Sequence, residues 1–275
     1  TQTSLSLIDA ARLTSHRPAN KCAIIWHEHG NIFGIASSQR RSMLTTWDLR
    51  HLWIDPSKES NPGKLLSGLC QLTANRECDR IFVRVRQNDQ VLDSIKNAGF
   101  TYCKEEFLYR FSGQKSRQNP FDLGVRPRMP TDDYNLFRLY NSSTPVNVRA
   151  TLGMTFDQWR NSIEHPKKSA EFVLEVGSQM AGWLRTNKSK DSSIFEMTIH
   201  PEYSVISKTL LEFALNQLQS IPSISCLVPN YQSVIQSLLI ENGFILDKKF
   251  ITLVRPIAEP QRISDRHHAI TVASL

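Results

Sequence analysis

Short apolar runs and helix-spaced apolar positions alternate along this chain, and they do so twice in the same order. In the first half, residues 23–27, 32–37 and 49–54 read as strands, and a helix begins near Lys64-Leu65-Leu66. Ile81-Phe82-Val83-Arg84-Val85 is a further strand. Residues 88–98 then place Val91, Leu92 and Ile95 on one face of a helix. Gly99-Phe100 ends it, with glycine as the left-handed cap and phenylalanine falling back onto the core. A strand over 102–111 follows.

The second half opens with a strand over 125–129 and helices over 132–140 and 155–163. Strands over 170–176, 180–186 and 193–199 come next, in hairpin order, before a helix around Lys208-Thr209-Leu210-Leu211. The ending repeats the first half: a strand at Ser225-Cys226-Leu227-Val228, a helix on Val234, Ile235, Leu238 and Leu239, then Gly243-Phe244 and a strand over 250–254. Matching Ile54 with Ile199 gives a shift of 145, and matching Gly99 with Gly243 gives 144. Two nearly equal shifts so far apart argue for duplication. The expected organisation is therefore a diverged N-terminal unit with a short lead-in (1–112), a polar linker (113–124), a C-terminal unit (125–257) and a polar tail (258–275). The expected fold class is α/β with a mixed sheet, in two copies.

Composition narrows the function classes only modestly. Hydrophobic residues make up 40% and charged residues 21% of 275, which is ordinary globular material. No apolar run approaches the roughly 20 residues needed to span a bilayer, and the first residues do not read as a secretory signal. Five scattered cysteines without a C-x-x-C pair read as reduced thiols and not as a disulfide frame or metal site, and the expected location is the cytoplasm. A formal charge of +7 favours anionic partners, an acidic protein face or RNA among them. Arg84, Arg86, Lys115, Arg117, Arg126 and Arg128 are the candidate positive patch, though without the interleaved aromatics of single-strand binders.

The repeated order of three strands, helix, strand, helix ending in Gly-Phe and strand resembles the GNAT acyltransferase fold. The motifs that carry the resemblance are 88–100 and 231–244, with the strand–Pro–helix passages at Pro56 and Pro201. Gly124-Val125-Arg126-Pro127-Arg128, Leu139-Tyr140 and Thr144-Pro145 are similar to a group of bacterial two-domain GNAT proteins. The resemblance implies acetyl transfer from acetyl-CoA to a small or protein amine, with the pantetheine arm between two splayed strands and the pyrophosphate at the next helix N-terminus. It places Glu196 as the candidate base, and Ile199, Ser204, Val205, Ile206, Ser207, Lys208 and Thr209 at CoA. No metal is implied.

Both copies depart from the pattern. The loop after Pro201 has no glycine, and Val205 and Ile206 suit a phosphate nest poorly. The loop after Pro56 is shorter still and contains Pro62, which has no N–H to offer. The tyrosine that often protonates the leaving thiolate falls at Ile95 and Leu239, and Tyr231 lies too far along to replace it. His51 aligns with Glu196 and reads as a partly buried structural histidine, while His200 reads as an exposed turn residue. These departures favour the C-terminal copy as the working one. They equally allow a catalytically inactive protein kept as a binding or scaffold subunit.

Overall fold

A computed structural model describes residues 20–28, 31–41, 45–55, 62–112, 124–164 and 169–257. Residues 113–123 of the expected linker, the C-terminal tail and residues 56–61 lie outside these residues. Eleven strands form one sheet: β1 (Lys21–Glu28), β2 (Asn31–Arg40), β3 (Thr46–Ile54), β4 (Arg80–Arg86), β5 (Thr101–Phe111), β6 (Val125–Pro127), β7 (Ser169–Val176), β8 (Gln179–Lys188), β9 (Ser192–Ile199), β10 (Ser223–Pro229) and β11 (Phe244–Pro256). The described helices are α1 (Pro62–Ala74), α2 (Leu92–Asn97), α3 (Asp133–Ser143), α4 (Val146–Leu152), α5 (Phe156–Ser162), α6 (Ser207–Gln217) and α7 (Ser233–Glu241).

The spatial order is β1-β2-β3-β4-β11-β5-β10-β9-β8-β7-β6. Each half contributes an antiparallel hairpin run, β1–β3 or β7–β9, and a strand parallel to its last member, β4 or β10. The final strands are exchanged. β11 pairs with β4 and β5 of the first half, and β5 pairs with β10 and β11 of the second. Each half thus supplies the strand that covers the other's exposed edge.

Internal symmetry extends to single residues. Gly34 faces Ile54 across β2–β3, and Gly182 faces Ile199 across β8–β9. A Cβ at Gly34 would meet Leu65 of α1 at 3.1 Å, and one at Gly182 would meet Leu210 of α6 at 3.3 Å. Both glycines let the crossover helix approach the sheet closely. Gly99 and Gly243 have φ of +84° and +82°, as the left-handed caps require.

Two cores flank the exchange. Leu65, Leu66 and Leu69 of α1 pack on Trp47, Ile81 and Val83, joined by Leu253 of β11. Leu210, Leu211 and Ala214 of α6 pack on Phe195, Met197 and Cys226, joined by Tyr109 of β5. A third cluster under α3 and α5 contains Leu136, Leu139, Trp159, Val173 and Met180.

Some boundaries differ from the sequence expectation. α2 starts at Leu92 because the Asp89 carboxylate takes the Val91 N–H and holds the preceding residues in a turn. α4 was not expected; its seven residues bury only Val148 and leave too little periodicity to read. β11 runs from Phe244, six residues earlier than its apolar run, because β5 offers a partner along that whole length.

Candidate functional site

β9 and β10 run parallel only from Ser192–Ser223 to Phe195–Cys226, and their pairing then stops. β9 continues to Ile199 on β8, and β10 continues to Pro229 on β5. The gap between them opens into a cavity of about 190 Å³. Alternation along β9 sends Phe195, Met197 and Ile199 into the core beneath α6. Glu196 and Thr198 point the other way, onto the cavity wall. α3 and α5 roof the space with Leu139, Tyr140 and Trp159. Their rings pack as a cluster in which Phe137, Tyr140 and Phe156 all contact Trp159. The α5 start is set by Thr155, whose hydroxyl accepts the Gln158 N–H at 3.3 Å while Gln158 returns a bond to the Thr155 N–H.

The cavity floor is an ionic network drawn from both halves. Glu106 of β5 is 2% exposed and accepts from Arg84 Nε at 2.8 Å, Lys104 Nζ at 2.9 Å and Thr252 Oγ1 of β11 at 2.6 Å. Burial alone would raise its pKa; Arg84, Lys104 and the Thr252 hydroxyl outweigh burial and hold it well below the usual carboxylate range. Glu164, after α5, bridges Arg84 at 2.9 Å and Arg41 at 3.6 Å. Burial opposes its ionisation too, and the same two guanidinium groups override it and depress its pKa. Arg41 also holds Asp48, and its guanidinium lies 4.3 Å from the Phe82 ring centre.

Glu196 lies opposite Arg185 in the β8–β9 ladder, and the two are paired at 2.7 Å. Arg185 is itself fixed by the Glu164 carbonyl at 2.5 Å and by stacking on Trp183. His51 holds the corresponding place in the first half, opposite Ser37, and its Nδ1 is 2.8 Å from the Ser37 hydroxyl. It is exposed, contrary to the partly buried setting expected of it, because β3 turns this face to solvent. His200 departs in the opposite sense. It is 7% exposed, its Nδ1 accepts the Glu202 N–H and its Nε2 meets Gln179, so it caps the turn that follows and is not a surface residue.

The expected CoA-contacting positions separate into several roles. Residues Pro201–Ile206 form a 3-10 turn that runs into α6, where the Ser207 N–H and hydroxyl both donate to the Ser204 carbonyl. Ile199 and Ile206 pack into the core. Val205 is 89% exposed. Thr209 is half-buried in the first turn of α6. Lys208 reaches solvent, 4.0 Å from Glu212. Beyond Phe195 and Cys226 the facing edges of β9 and β10 are not paired with each other. The α6 entry lacks the open backbone cradle that a pyrophosphate would use, because its own chain has taken up donors there, and Lys208 is the cation left facing solvent.

Tyr140 lines the cavity, and so does Tyr231, which the sequence reading set aside as too far along its helix to replace the missing tyrosine. Burial pushes both phenols up; for Tyr231, Lys104 and a hydrogen bond with Thr144 act the other way without cancelling it. Ile95 and Leu239 are core residues with no exposure to speak of. Of the described members of the expected positive patch, Arg86 is exposed and the other three are held by carboxylates. Arg84 belongs to Glu106 and Glu164, Arg126 to Asp132 and Glu175, and Arg128 to Asp133 and Glu171. Lys115 and Arg117 lie outside the described residues. Among those residues no group of His, Cys, Asp and Glu could hold a metal ion, and no helix is long and apolar enough to cross a membrane.

No protein-family model matches the chain, and no curated protein sequence does. Solved structures do resemble it. A provisionally assigned acetyltransferase from Pyrococcus horikoshii superposes with a TM-score of 0.53 at 9% identity, over 90% of this chain and 76% of that one. A GCN5-related N-acetyltransferase from Sphaerobacter thermophilus gives 0.50 at 12% identity, over 83% and 78%. A conserved protein of unknown function from Staphylococcus epidermidis gives 0.52 at 10%, over 78% and 85%. At such identities the likeness is one of fold: this chain carries the GCN5-related N-acetyltransferase fold in tandem, with the two copies joined through exchanged strands.

Proposed function

We propose that the second half is an acyl-transfer unit that takes an acyl-CoA, acetyl-CoA in the first instance, between β9 and β10 and delivers its acyl group to an amine in the adjoining cavity. The observation that carries this reading is the opening of a parallel strand pair into a cavity whose lining includes the Glu196 carboxylate and the Tyr231 phenol, whose pKa burial raises. The thioester supplies an activated carbonyl. Glu196, oriented by Arg185, accepts the proton that an attacking amine must lose; the thioester C–S bond breaks, and Tyr231, also in the cavity lining, protonates the departing CoA thiolate. Lys208 meets the phosphates as a flexible point charge in place of a backbone nest. The first half offers no equivalent carboxylate, since His51 stands there.

Calorimetric titration with acetyl-CoA and CoA tests the reading. Micromolar binding, weakened about tenfold or more by Lys208→Glu, is expected. With bound donor and an amine panel, Glu196→Gln lowers transfer about 10²-fold or more while leaving donor affinity unchanged. Absence of binding at about millimolar concentration sinks the proposal. The second reading, a non-catalytic binding or scaffold subunit, is favoured by the filled α6 entry and by the Arg185–Glu196 pair. It then becomes the better account, with its partner, an acidic protein or RNA included, to be sought directly.

A further inference from the structure

A second cavity, of about 240 Å³, lies where β3 and β4 part in the first half. Their parallel pairing runs only from Thr46–Arg80 to Asp48–Phe82. Asp48, Arg50, Arg84 and Glu164 line the space beyond, together with Arg41 and Thr252. It shares Arg41, Arg84, Glu164 and Thr252 with the first cavity, so the two chambers lie on either side of one ionic wall.

Arg50 distinguishes this cleft from its counterpart. Ser37 pairs with His51 and Ser38 with Leu49, which leaves Arg50 as an extra, unpaired residue in β3. The matching stretch of β9 has no such interruption: Arg185 pairs with Glu196 and Thr186 with Phe195. The first copy therefore carries a one-residue bulge, and bulges re-aim side chains next to sites. The Arg50 guanidinium is exposed and has no ion-pair partner among the described residues. In the same lining, the Asp48 carboxylate accepts through Oδ1 alone and the Glu164 carboxylate through Oε1 alone among those residues. The cleft thus presents an uncommitted cation and two uncommitted carboxylate oxygens within one small space.

We propose that the first-half cleft binds a small zwitterion bearing one carboxylate and one ammonium group, of the α-amino acid class. Its carboxylate meets Arg50, and its ammonium meets the free oxygens of Asp48 and Glu164. A simple anion would leave those two oxygens without a donor, and a simple amine would leave Arg50 without an acceptor; a molecule carrying both charges satisfies both. This goes beyond the acyl-transfer reading and does not depend on it.

The test is calorimetric titration of the intact protein with L-alanine, L-serine and L-glutamine, each beside the amine and the acid that retain only one of its two charged groups. Saturable binding of at least one amino acid is expected, with the matched amine and acid at least about tenfold weaker. Arg50→Gln, at an exposed position, should weaken it about tenfold, and deletion of Arg50, which restores the uninterrupted ladder of the second half, should abolish it. Glu164→Gln should weaken the amino acid and leave the matched acid unaffected. The proposal is overturned if no amino acid binds below about 10 mM, if amine or acid binds equally well, or if both Arg50 variants bind as the parent does. Acetyl-CoA titrated in parallel reports separately on the second half.

Discussion

Glu106 holds together strands that the sequence places far apart, and its replacement by glutamine is the most informative single perturbation. The carboxylate sits on β5, its cations on β4 and β5, and its hydroxyl donor on β11. Removing one partner of a buried ion pair costs about 3–5 kcal/mol. Here Arg84 keeps Glu164 as a second partner, and Arg84 and Lys104 are 30% and 17% exposed, so the lower end, about 3 kcal/mol, is expected. Urea unfolding at pH 7 reads this as a lower midpoint at unchanged slope. The pH dependence supplies the second half of the test. A carboxylate whose folded pKa is depressed contributes stability that is fully present above its unfolded value, about 4.3, and is lost as pH falls toward the folded value. The gap between parent and Glu106→Gln should therefore stay constant from pH 7 to about 5 and narrow below about 4. A gap under about 1 kcal/mol at pH 7, or one that widens with acid, would refute the reasoning.

Three further outcomes follow from the packing. Gly182→Ala places a Cβ 3.3 Å from both Ile199 and Leu210 and should destabilise by about 1–2 kcal/mol in the same unfolding assay, with Gly34→Ala at least as severe because Leu65 lies at 3.1 Å. Thr252→Val removes a hydrogen bond to a buried carboxylate and should cost about 1.5–3 kcal/mol, less when combined with Glu106→Gln than the two single effects added. All five cysteines are buried, and burial pushes the Cys78 thiol up to about 12, so a thiol reagent at pH 8 should label native protein slowly and all five rapidly in denaturant.

Much of the fold was legible because local pattern and repetition agree. The helix-ending glycines, the hairpin runs and the near-constant shift between halves all arise from short-range periodicity. Strand exchange was not legible. Residues 250–254 read as the last strand of their own half, and nothing local states that the partners of this strand are Arg80–Arg86 and Thr101–Phe111. The site shows the same division. Glu196 could be nominated only through the family resemblance, and alternation left its direction open until β9 was anchored by Phe195 and Met197 in the core. Arg41, Arg84, Lys104 with Glu106, Glu164 and Thr252 come from five separate stretches, so no spacing could join them. The Arg50 bulge changes the repeat shift by a single residue, which an ungapped match of the two halves absorbs without trace.

The exchanged strands also set a timetable for a nascent chain. β5 ends at Phe111, yet both its neighbours belong to the second half, and the strand that covers β4 ends only at Pro256. At about 5–20 residues per second, roughly 7–30 s of synthesis separate the emergence of β5 from that of its last neighbour. During that interval β4 and β5 present bare hydrogen-bonding edges, open to a second nascent copy as readily as to their own C-terminal half. Slow codons or a chaperone acting between these two points would alter yield without changing a single contact in the finished sheet.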